Sequence, residues 1–110
     1  MAAMNLNKEL FHKHINDGNK PILVDFHAPW CVYCRRIGPA IDKLADAYGE
    51  DLMIGKFNID EAPHLAELEE IEVVPTLVIY KGGQPLGSIV APESKAQIEA
   101  FIKETLENES

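Results

Sequence analysis

The sequence predicts a mixed α/β fold, a central sheet covered by helices on both faces. Three observations predict it. Strand-length apolar runs alternate with helix-period apolar stripes through about Glu70, a Gly-Gly turn then joins two strand-like segments, and an amphipathic segment closes the chain. At 110 residues the chain is long enough to bury one core without covalent staples.

The elements follow in order. Leu10, Phe11 and Ile15 share one side of a first helix, which Asp17-Gly18-Asn19 ends with turn residues. Ile22 to His27 is a nearly unbroken apolar run, short enough to be a buried strand. From Cys34 the pattern turns helical, with Ile37, Ile41, Leu44, Ala45 and Tyr48 on one face. Arg35, Arg36, Asp42, Lys43 and Asp46 fall mainly on the other. Pro39 lies inside this helix, where it removes a hydrogen bond and bends the axis, and Gly49 suits its end.

Leu52 to Ile59 reads as a strand, and Pro63 suits the first turn of a short helix running to about Glu70. Glu67, Glu69, Glu70 and Glu72 read as a solvated face. Thr76 to Tyr80 is a strongly apolar strand, and Gly82-Gly83 turns the chain into another near Leu86 to Val90. Ser94-Lys95-Ala96-Gln97 has capping-box spacing, ahead of the closing stripe Ile98, Phe101, Ile102 and Leu106.

Composition narrows the function. A formal charge of −8 argues against nucleic acid, because phosphate binding needs clustered Lys and Arg. No apolar run approaches the ~20 residues that cross a bilayer, so no membrane partner is expected. The opening MAAMNLNKELFHKH lacks the charged head and long apolar stretch of a signal peptide, and the expectation is a cytoplasmic protein.

The chain has two cysteines, Cys31 and Cys34. A zinc site needs two more soft ligands, which neither His12 nor His14 supplies at metal-binding spacing. A disulfide closing so short a loop constrains little of the unfolded chain, so a purely structural bridge is a poor explanation. Redox chemistry remains. Cys31 falls at a strand-to-helix junction, where free N–H groups and the helix dipole favour a thiolate. Cys34, three residues on, shares its helix face and can resolve a mixed disulfide formed at Cys31. The plain alternative is a pair of packed, idle cysteines.

The segments LVDFHAPWCVYC, Ile37-Gly38-Pro39, Asn58-Ile59-Asp60, Val74-Pro75-Thr76 and Lys81-Gly82-Gly83 occur in this order. In them the chain resembles the thioredoxin family along nearly its full length. The resemblance implies a single thioredoxin-like domain over residues 1–110, working as a monomer without a cofactor or metal. It implies a protein-disulfide reductase whose partners are disulfide-containing proteins, with a thioredoxin reductase as electron donor.

By the same resemblance, Asp25 sits beneath the cysteines and shuttles protons to and from Cys34, with Lys56 nearby. Trp30 is a partly exposed ring shaping the site. Pro75 is cis and faces the cysteines, and the Val74 backbone pairs with an extended substrate segment. Ala91 stands beside the site where the family commonly has Gly, and Val32-Tyr33 stands where it usually has Gly-Pro. His27 replaces a large aromatic, as a packing or hydrogen-bonding substitute or as a proton relay. The rival readings are disulfide oxidase or isomerase, glutaredoxin-like activity, a non-catalytic binding module, and a metal or iron–sulfur centre shared between two chains.

Overall fold

A computed structural model describes residues 3–49 and 51–109, the side chain of Glu109 excepted. Its strands are β1 (Met4–Leu6), β2 (Ile22–His27), β3 (Met53–Asn58), β4 (Thr76–Lys81) and β5 (Gln84–Val90). Its helices are α1 (Lys8–Ile15), α2 (Val32–Tyr48), α3 (Pro63–Leu68) and α4 (Lys95–Glu109), with a 3-10 turn at Ile59–Glu61. The strands form one sheet in the order β1-β3-β2-β4-β5. β3 is parallel to β1 and β2, whereas β4 is antiparallel to both β2 and β5. The sheet is mixed, as the element order predicts.

Alternation along β2 explains the two cores. Ile22, Val24 and Phe26 face α1 and α3, where Phe11 meets Phe26, Phe57 and Tyr80 edge-on at 5.5–5.9 Å between ring centroids. Leu23 faces the other way, into a core built with Ile37, Ile41 and Leu44 of α2 and Ile98 and Ile102 of α4. With both faces covered, β2 needs apolar side chains at nearly every position. Asp25 and His27 share the Leu23 side by the same alternation, and this puts them toward α2.

One element is added to the expected set and two helix boundaries are corrected. β1 has no signal in the sequence; it is a three-residue edge strand, too short to show alternation. α2 starts at Val32 and not at Cys34, because Cys31 itself is the N-cap. α3 stops at Leu68, two residues short of Glu70. Glu69 also leaves the solvated face, since its carboxylate accepts a 2.7 Å hydrogen bond from the buried Tyr80 hydroxyl. Burial, with the hydrogen bond and charge of Glu69, pushes the Tyr80 phenol well above its usual range. At α4 the Ser94 Oγ accepts the Gln97 N–H at 3.1 Å, as the capping box requires. The Gln97 side chain reaches back one residue further than the motif prescribes, to the Glu93 N–H at 2.8 Å.

Candidate active site

β2 ends at His27 and α2 begins at Val32 after a four-residue connection, so the turn brings Cys31 to the head of a 17-residue helix. The Cys31 N–H donates to Ala28 O at 3.1 Å, closing that turn. Cys31 Sγ then accepts the Cys34 N–H at 3.1 Å, the geometry of an N-cap side chain. A sulfur in this position meets an unpaired helix N–H and the positive end of the dipole, both of which favour a thiolate. Cys31 and Cys34 are joined as a disulfide with their Cα atoms 5.3 Å apart, within the ordinary range for such a bond. Both are largely buried, at 8% and 5% exposure.

The surroundings come from four other segments. The Val74–Pro75 peptide bond is cis, and the Val74 carbonyl oxygen lies 3.7 Å from Cys31 Sγ. The Thr76 hydroxyl donates to the Val73 carbonyl, fixing the turn into β4. Pro75 O accepts the Ala91 N–H at 2.8 Å, which ties the end of β5 to the same turn. Ala91 has φ 46°, a left-handed conformation that favours glycine. Trp30 is 65% exposed, and its indole Nε1–H donates to the Asp60 carboxylate at 3.3 Å. It is therefore a surface ring and not a core tryptophan.

Asp25 lies on the hidden side of the pair. It is 2% exposed, and its Oδ1 has no hydrogen-bond partner among the described residues. Burial pushes its carboxyl up to about 7, the Lys56 ammonium opposes that rise, and the Asp42 charge adds to it. Lys56 is opposite Asp25 in the β2–β3 register and is paired with Asp42 of α2 at 3.1 Å. Burial pushes the Asp42 carboxyl up too, but the Ala3 N–H and Lys56 outweigh it and hold the group below the usual range. A cavity of about 420 Å³ opens under the disulfide; Asp25, His27, Cys34, Arg35, Asp42 and Lys56 are among its walls.

The structure thus brings Asp25, Lys56, Cys34 and His27 to one cavity, sets the Val74 carbonyl against Cys31 Sγ and ties Ala91 to Pro75, while Trp30 contacts Asp60. Sequence reasoning missed three contributors. Asp42 falls on the polar side of its helix, and only the three-dimensional position of Lys56 makes it a partner. Asp60 was visible as a family landmark, without its contact to Trp30. Tyr33 donates its hydroxyl to Pro92 O at 2.9 Å, across 59 residues of sequence that no local signal connects. Among the described residues, no group of three or more His, Cys, Asp or Glu side chains could hold a metal ion. No helix among them is long and apolar enough to cross a membrane.

A sulfur pair capped in this way, at the C-terminal end of the central strand of a mixed sheet and over a protonatable carboxyl, is built to exchange its bond with another disulfide. The class of protein so defined is the thiol–disulfide oxidoreductases. The thioredoxin family model matches residues 2–104. The thioredoxin of Acidithiobacillus ferridurans is 37% identical, covering 96% of this chain and 97% of its own. That of Alicyclobacillus acidocaldarius subsp. acidocaldarius is 36% identical, covering 96% of this chain and all of its own. The chloroplastic M-type thioredoxin of Chlamydomonas reinhardtii is 36% identical over 92% of this chain and 72% of its own. The chain belongs to the thioredoxin family, and its activity is protein-disulfide reduction.

Proposed function

We propose that the chain works as one unit over residues 1–110, a monomer in a reducing cytoplasm, and that Cys31 is its nucleophile. The Cys31 thiolate attacks one sulfur of a partner disulfide, forming a mixed disulfide and expelling the partner's other sulfur as a thiolate that takes up a proton. Cys34 then gives its proton to Asp25 and attacks Cys31 Sγ. The Cys31–partner bond breaks, the Cys31–Cys34 bond forms, and the partner leaves fully reduced. Two electrons from a dithiol donor, in this reading a thioredoxin reductase, restore the starting thiols.

The observation that carries this order of events is the Cys34 N–H donated to Cys31 Sγ at the helix N-cap. It favours negative charge on Cys31 and leaves Cys34 one turn inside, next to the Asp25 cavity. Lys56 keeps Asp25 from becoming too weak an acid to release its proton. Trp30, Val74, Pro75 and Ala91 form the surface against which an extended segment of the partner lies, with the Val74 backbone as its pairing edge.

The test uses the reduced protein and a protein-disulfide reporter such as insulin. Cys31→Ser abolishes turnover, whereas Cys34→Ser completes one attack and accumulates a mixed disulfide at residue 31, read by mass. A trapped adduct on residue 34 in the Cys31→Ser protein, with turnover retained, overturns the assignment.

A further inference from the structure

Asp25 needs a route by which its proton reaches solvent. The carboxyl is buried, its Oδ1 finds no donor among the described residues, and Lys56 is engaged by Asp42. The cavity that reaches Asp25 and Cys34 also has His27 in its wall. At about 420 Å³ it is roomy beside the ~30 Å³ a water molecule takes up in the liquid, and the orphaned Oδ1 is the polar partner such a water needs. His27 is two residues beyond Asp25 on the same face of β2 and is half-buried where Asp25 is fully buried. The imidazole therefore lies beyond the carboxyl toward the C-terminal end of β2, in the wall of the same cavity.

We propose that His27 receives the Asp25 proton through cavity water and passes it to solvent, and returns a proton by the same path when the disulfide is reduced again. This rests on the reading of Asp25 as the base for Cys34. The transfer is balanced: Cys34–SH becomes a thiolate, the Asp25 carboxylate becomes a carboxylic acid and then a carboxylate again, and the imidazole gains and loses one proton. His27 acts through Asp25 and is not itself a catalytic residue.

The groups around the imidazole suit that task. Burial lowers its basicity, Lys56 of β3 lowers it further, and Glu61 of the 3-10 turn raises it. Arg35 and Asp42 of α2 complete the charged walls of the cavity, and Asn58 is the β3 register partner of His27. Burial and Lys56 thus favour the neutral imidazole, whose ring nitrogen is free to accept a proton that cavity water carries from Asp25.

A chromophoric aromatic disulfide tests the proposal by rapid mixing with the reduced protein. Attack by Cys31 releases one coloured thiolate and resolution by Cys34 releases the second, so the two steps are read separately. In His27→Phe the second phase falls roughly tenfold relative to the first, a modest share of the ~10²–10⁴ a positioned acid–base group contributes. Its rate then rises with added imidazole, while the wild type shows no such dependence. If His27→Phe does not fold, as judged by circular dichroism, His27→Gln carries the same test. A second phase unchanged by the substitution, or slowed but insensitive to imidazole, overturns the relay. Asp25→Asn separates the two claims. If it slows the second phase and His27→Phe does not, only the relay fails; if it too leaves that phase unchanged, the role of Asp25 fails with it.

Discussion

Leaving a buried polar atom without a hydrogen bond costs about 1–3 kcal/mol, and for an ionised carboxylate the penalty is larger. Asp25 incurs this cost in the middle of an otherwise apolar strand, with its carboxyl pushed up to about 7. The consequence for stability has a definite sign. In the unfolded chain the group is an ordinary aspartate near 3.8, so between that value and about 7 the folded state binds the extra proton. Folding is therefore weakened as pH rises through this window, by on the order of 4 kcal/mol as an upper bound. Asp25→Asn abolishes the dependence. Urea unfolding of the oxidised proteins should show the variant gaining far more stability over wild type at pH 8 than at pH 4; an equal difference at both would mean the carboxyl ionises normally in the fold.

Among the elements, α3 shows how a rule can be met with the wrong residue. The Glu70 N–H donates to Glu67 O at 3.0 Å and the Ile71 N–H to Ala66 O at 2.9 Å, which is the Schellman pattern of helix termination. That pattern asks for glycine at the left-handed position, and Glu70 occupies it at φ 62°. Glu70→Gly should stabilise the fold by about 1 kcal/mol, read as a shift in the urea midpoint without a change in slope. No shift, or a loss, would mean the Glu70 side chain contributes something that offsets its backbone strain. The same helix marks a limit of sequence reading. Pro63 announces its start, but the stop at Leu68 carries no glycine to announce it. The long, strongly periodic α2 and α4 and the apolar β2 and β4 were legible because burial forces their patterns. β1 was not, since three residues held by pairing to β3 need no pattern of their own.

At the scale of the whole molecule, the candidate site divides along the same line. Cys31, Cys34 and the helix that caps them are adjacent in sequence, so spacing alone revealed their chemistry. Asp25 was legible as a charge where none should lie, and Trp30, Lys56, Pro75 and Ala91 only through family landmarks. The Lys56–Asp42 and Tyr33–Pro92 contacts join elements that meet only once the sheet has formed, and neither residue pair carries a local signal. The second of these contacts links two departures from the family pattern. Tyr33 replaces a residue of the usual Gly-Pro pair and holds the carbonyl of Pro92; its neighbour Ala91 replaces a glycine and keeps a backbone conformation that costs an alanine about 1–2 kcal/mol. A double-mutant cycle of Tyr33→Phe and Ala91→Gly, followed by urea unfolding, should give a coupling energy above ~0.5 kcal/mol, where independent sites add to within ~0.3–0.5. Simple additivity would separate them.

That mooring has a consequence for redesign. A phenol lashes the loop after β5 to the head of the redox helix, so an incoming polypeptide meets a braced rim at Pro92. Returning position 33 to the common form of the motif would cut this strut and leave the loop to hold its place without it.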